Sequence, residues 1–113
     1  MIYRKYELAK KYNFDEVIDP IIKKHTIDNN NFKKKHVSNG ETINIYVYER
    51  YFFRINSNLA ITIISTEKND STTIELISAG GCDGLLLEDL GAEASSIKEV
   101  IKILKKDGFV EIK

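Results

Sequence analysis

The sequence predicts an α+β fold: an antiparallel sheet of four to five strands with two helices packed on one face, in the order β-α-β-β-β-(β)-α. Three observations predict it. Segments 13–25 and 95–106 carry the apolar spacing of amphipathic helices. Between them, residues 42–78 alternate in steps of two and are dense in β-branched and aromatic side chains. The connections within that stretch are short, so consecutive strands pair as antiparallel hairpins.

Residues 2–9, IYRKYELA, mix Tyr and Ile with charges and read as a strand whose lysine suits an edge position. In NFDEVIDPIIKKH, residues 13–25, Phe14, Val17, Ile18, Ile21, Ile22 and His25 fall on one helical face. Asn13 with Glu16 resembles a capping box, and the acidic start and basic end suit the helix dipole. Pro20 interrupts this segment, which predicts either a kinked helix or a break at Asp19. Residues 26–41 read as a polar connection, with turn signals at Asn29 to Asn31 and at Asn39-Gly40. Phe32 is expected to pin that connection to the core, and Lys33, Lys34, Lys35 and His36 form the densest basic run.

Strands are then expected over 42–55, 59–66 and 71–78, with turns at 56–58 and 67–70. Ile43, Ile45 and Val47 alternate against Asn44, Tyr46 and Tyr48, and Thr72, Ile74, Leu76 and Ser78 share one face. Residues 85–90, LLLEDL, could add a short strand. In the last helix, Ile97, Val100, Ile101 and Leu104 form the apolar face. Ser96 with Glu99 reads as its capping box, and Asp107-Gly108 ends it. FVEI, residues 109–112, either pairs as a terminal strand or lies on the core.

The chain of 113 residues is long enough for one domain with a single core. Its 42% apolar and 30% charged residues are those of a globular protein. Formal net charge is zero, so the basic excess of a nucleic-acid binder is absent. Residues 1–55 nevertheless carry +4 and residues 56–113 carry −4. The two halves can attract each other within the chain or across a homodimer; a basic face open to an anion is the alternative. A single cysteine forms no internal disulfide, and neither a signal peptide nor a membrane span is legible. These features lead us to expect a cytoplasmic protein.

Four of the six glycines lie within ISAGGCDGLLLEDLGAEASS, residues 77–96, around Cys82 and Asp83. A dinucleotide loop needs G-x-G-x-x-G opening directly into a helix, whereas Gly80, Gly81 and Gly84 are followed by LLLEDL. The Lys-Ser/Thr pair of a P-loop is missing, and Asp83, Glu88, Asp89 and Glu93 would repel a phosphate. Cys82 as a nucleophile needs a base or cation to lower its pKa; His25 and His36 are distant in sequence and Asp83 acts the other way. The acidic residues lack the spacing of an EF-hand. Glycines that relieve a bulge and a tight turn account for the stretch without a ligand. No catalytic residue, metal site or cofactor is assigned.

Tyr46, Tyr48, Tyr51, Phe52 and Phe53 with Arg50 and Arg54 could form a stacking platform for single-stranded nucleic acid. Aromatics on strands more often fill cores and cross-strand pairs, and the glycine-flanked RRM pattern is absent.

YERYFFR at 48–54, ISAGGCDGLL at 77–86 and DLGAEAS at 89–95 together resemble a family of small bacterial single-domain proteins of unknown function. The resemblance covers roughly residues 46–106 and implies a cytoplasmic α+β unit, with no substrate or catalytic residue to carry over. The resulting expectation is a non-enzymatic binding or interaction module, with a second copy or another protein as partner rather than nucleic acid or a membrane. The alternative is a small-ligand binder or enzyme with a pocket between sheet and helices near residues 80–84. Tyr48, Arg50, Arg54, Gly80, Gly81, Cys82 and Asp83 are then the candidate ligand-binding residues. A flat apolar patch would favour the first, and a deep pocket with convergent polar groups the second.

Overall fold

In the computed structural model, residues 1–25, 31–52, 57–79 and 92–112 are described. They form a six-stranded, wholly antiparallel sheet in the order β2-β3-β4-β5-β1-β6 and two helices. The α+β class and antiparallel sheet are as expected. Against the four to five strands expected, the described residues form six, in the order β-α-β-β-β-β-α-β.

β1 (Ile2–Leu8) is not an edge strand: it lies between β5 (Thr72–Ala79) and the short β6 (Val110–Ile112). α1 (Phe14–His25) continues through Pro20 without a break. Pro20 is exposed, and the carbonyl its missing N–H leaves unpaired belongs to Glu16, which is also exposed and can be hydrated. Phe14, Ile18, Ile21 and Ile22 are buried along the predicted face.

The main correction is β2 (Asn31–Ser38), which the sequence presents as a polar connection. It pairs with β3 (Glu41–Phe52) over its whole length, from Asn31 opposite Tyr48 to Ser38 opposite Glu41. Asn39 and Gly40 close this hairpin with φ of 51° and 77°, the left-handed pair that a two-residue type I′ turn requires. Every β2 residue is exposed, so no apolar alternation marks the strand. β4 (Ser57–Glu67) starts earlier than expected, since Ser57 and Asn58 pair with Phe52 and Tyr51 instead of turning the chain.

α2 (Ala92–Lys106) likewise begins earlier than expected. Ser96 therefore lies in its second turn, not at its cap. Its C-terminus closes with a Schellman pattern, Phe109 N–H donating to the Leu104 carbonyl at 2.9 Å and Gly108 N–H to that of Lys105 at 3.2 Å. Gly108 adopts φ of 98° there, and Phe109 turns back into the core. Val110–Ile112 then pair with β1.

Both helices cover the same side of the sheet. α1 packs over β3, and α2 over β5, β4 and β1. The core holds Tyr6, Tyr46, Tyr48, Ile61, Ile63, Ile74 and Leu76 from the sheet, with Ile97, Val100 and Leu104 from α2. Registers place these strand residues in rows on one face, for example Tyr46, Ile63 and Leu76. Two polar clusters fasten the helices. The Tyr46 hydroxyl donates to Asp15 of α1 at 3.0 Å, and Lys33 of β2 pairs with the same carboxylate. Glu99 of α2 meets His25 at 3.2 Å and Lys24 at 3.4 Å at the end of α1.

Candidate interaction surface

Period-two geometry sends alternate side chains of every strand to the side the helices leave open. Three rows can be followed across β2, β3, β4, β5 and β1. The first is Phe32, Val47, Thr62, Ile77 and Tyr3; the second is Lys34, Ile45, Ile64, Glu75 and Lys5; the third is His36, Ile43, Thr66, Thr73 and Glu7. Val110 and Ile112 of β6 extend the last two rows. No described helix or strand packs over these rows.

The face is apolar at its centre. Ile43, Ile45, Val47, Ile64 and Ile77 are half-buried, shielded in part by their neighbours in the rows. At the margins, Phe32 is 55% exposed, Tyr3 47% and Val110 69%. Phe32 therefore does not pin a loop to the core; it stands on the open face. Polar groups flank the apolar centre. Lys34 and His36 lie on the β2 side, and Glu75 and Glu7 on the β5 and β1 side. The Tyr3 hydroxyl donates to Glu75 at 2.6 Å, which fixes the carboxylate and raises the phenol pKa. A contiguous apolar face of this kind, rimmed by charge, is the usual surface feature of a protein-binding site.

The residues singled out from sequence are distributed differently. Arg54, Gly80, Gly81, Cys82 and Asp83 lie outside the described residues, as do the proposed strand at 85–90 and the glycine turn. Tyr48 is 1% exposed and packs in the core. Burial pushes its hydroxyl pKa up to about 12, against a smaller lowering by Arg50 and a smaller rise from Glu99. Tyr46 is also fully buried, so neither ring offers a stacking surface.

Arg50 sits beside α2 in a hollow of about 290 Å³ that it lines with Lys98, Glu99 and Lys102. Among the described residues its lining carries three cations and one carboxylate. Burial tends to raise the Glu99 pKa, but the hydrogen bond from His25 and the charge of Lys24 outweigh it and hold the carboxyl below its usual range. A larger hollow, about 530 Å³, runs along the β1–β6 margin between Leu8, Gly108, Val110 and Ile112. Among the described residues no group of three or more His, Cys, Asp or Glu is placed to hold a metal ion, and no helix is long and apolar enough to cross a membrane.

Sequence reasoning did not bring Phe32, Lys34, Ile64, Glu75 and Ile77 together on one face. One signal was available. β3 is apolar at Ile43, Ile45 and Val47 and aromatic at Tyr46 and Tyr48, so both of its faces are built for burial. The helices cover one of them.

Residues 4–107 match the family described as a family of unknown function, DUF6054, and the chain belongs to it. The match begins in β1 and includes α1, well before the region around residues 46–106 that carries the resemblance in sequence. No curated protein matches. No solved structure matches.

Proposed function

We propose that this DUF6054 protein is a non-enzymatic interaction module whose open sheet face receives a second copy of the chain. The observation that carries the reading is the apolar centre made by Ile43, Ile45, Val47, Ile64 and Ile77, which no described helix or strand covers. Transfer of such side chains out of water contributes about 25 cal/mol per Å² of apolar surface, and a partner sheet on this face would realise that gain. A flat face of β-branched residues suits another sheet, because two such faces interdigitate at about 10 Å. Sedimentation equilibrium tests it. Wild-type protein is expected to self-associate with concentration, and Ile45→Glu, on the open face, to be monomeric with an unchanged thermal transition. A wild type that stays monomeric at hundreds of micromolar would contradict the proposal.

A second reading has its own support. The hollow at Arg50, Lys98 and Lys102 places three cations between β3 and α2, an arrangement that suits a small anion. Titration calorimetry with inorganic phosphate tests it: saturable heat lost in Arg50→Ala would support this reading, and the absence of heat would remove it.

A further inference from the structure

Resting on the self-association reading, we infer that the two copies pack face to face about a two-fold axis parallel to the strands and centred between β3 and β4, with Lys34 of each copy opposite Glu75 of the other. The rows of the open face restrict how two copies can match. Two sheets that pack isologously face to face can be related by an in-plane axis running either along the strands or across them.

An axis across the strands lays β2 over β2. Centred on the second row, it sets Lys34 against Lys34 and Glu75 against Glu75; moved along the strands, it keeps β2 over β2 and never brings Lys34 to Glu75. An axis along the strands reverses the strand order while keeping each row in step. It brings the basic margin of one copy over the acidic strand of the other.

The position of that axis is set the same way. Centred on β4, it would lay Lys34 over Lys5 and Ile45 over Glu75. Centred between β4 and β5, it would bury Glu75 against Ile64 and Lys5 against Ile45, leaving charges desolvated without partners. Centred between β3 and β4, it lays β3 over β4 and β2 over β5. In the second row, Ile45 then meets Ile64 and Lys34 meets Glu75. In the first, Phe32 meets Ile77 and Val47 meets Thr62. In the third, Ile43 meets Thr66 and His36 meets Thr73. This placement sets apolar groups against apolar or threonine side chains and opposite charges against each other.

The geometry is compatible with sheet packing. Aligned sheets cross at about 30°, half of it on each side of the axis, and β2 and β5 lie only about 7 Å from an axis between β3 and β4. The long Lys34 side chain spans the resulting offset. Tyr3 occupies part of the Glu75 carboxylate, and a carboxylate accepts several hydrogen bonds, so a lysine can join it.

Four strands at about 4.8 Å and seven residues at about 3.4 Å give a footprint on the order of 450 Å² in projection. That is the low end of specific interfaces, so weak, concentration-dependent self-association is expected. The two charge pairs lie at the margin and act chiefly on which partner and which register are accepted.

The test is a charge exchange followed by sedimentation velocity at low salt. Lys34→Glu and Glu75→Lys are each expected to weaken self-association about tenfold, because both symmetric pairs become like-charged. A one-to-one mixture of the two variants is expected to recover wild-type affinity as a heterodimer. In that heterodimer the two carboxylates of one copy face the two ammonium groups of the other, so both pairs regain opposite charges. A wild-type dimer that neither single variant weakens, or a mixture that stays weak, would overturn this register while leaving the self-association reading intact. A wild type that does not associate would overturn both. Carbodiimide crosslinking of mixed ¹⁴N and ¹⁵N wild-type protein checks the same contact without mutation. An isotope-mixed Lys34–Glu75 peptide supports the register, and mixed crosslinks confined to other pairs contradict it.

Discussion

Ile63 and Ile64 are neighbours on β4 and chemically identical, yet Ile63 is fully buried beneath the helices and Ile64 stands half-buried on the open face. The same contrast runs through β3, where Tyr46 and Tyr48 point inward and Ile45 and Val47 outward. The inner face combines large rings with small Ser65, Thr72 and Ser78, all buried. The outer face is rich in Ile, Val and Thr, side chains that suit a sheet meeting another sheet. Apolar character alone does not decide which side of a strand becomes core. Polar anchors that hold a covering layer contribute. Tyr46–Asp15 and Glu99–His25 supply such anchors on the inner side.

The sharpest way to break this comparison is to truncate both isoleucines. Ile63→Ala leaves a cavity among residues with no solvent access and is expected to cost about 2–5 kcal/mol of unfolding free energy in urea titration. Ile64→Ala should cost less than about 1 kcal/mol when the protein is dilute enough to be monomeric. Equal losses would mean that the two faces are equivalent in the monomer.

A smaller effect is expected at the helix end that closes the inner layer. At Gly108, φ of 98° lies in a region costly to any residue with a Cβ, so Gly108→Ala is expected to destabilise by about 1–2 kcal/mol. An added Cβ would meet Leu8 Cδ1 at 3.5 Å, ordinary contact, so that cost is conformational and thermal denaturation should show it without loss of the fold.

The smallest concerns the anchors. The hydrogen bond from Lys33 leads the effects that hold Asp15 below its ordinary value of 3.8, and Glu99 lies below 4.5 for the reasons given above. Carboxyls with depressed folded pKa values contribute stability that is present above their unfolded values and lost as pH falls through the folded ones. Stability is therefore expected to fall as pH drops below about 4.5. Tyr46→Phe, costing about 1 kcal/mol near neutrality, should flatten the Asp15 part of that loss. Urea midpoints measured between about pH 6 and about pH 3 check both, since that range brackets the unfolded carboxyl values.

Where one face of an element is covered, its sequence declared it. The Thr72, Ile74, Leu76 and Ser78 set is buried as its alternation implied, and Val100 and Leu104 lie where helical spacing put them. β2 was illegible because neither of its faces is covered, so KKKH looks like a loop although Asn39-Gly40 marks the hairpin. The extent of the open face was illegible for a related reason. The alternation of Ile43, Ile45 and Val47 is visible in sequence, but which side the helices take depends on helix packing that no single strand records. Arg50, a candidate ligand-binding residue in the sequence, lines a hollow with Lys98 and Lys102, which read only as the polar side of a helix.

The most direct test of the two-face account is a methyl NMR dilution series on isoleucine-labelled protein. Signals from Ile43, Ile45, Ile64 and Ile77 are expected to shift with concentration while those of Ile61, Ile63 and Ile74 stay fixed. Spectra independent of concentration, or shifts confined to the helical side at Ile101 and Ile103, would contradict it.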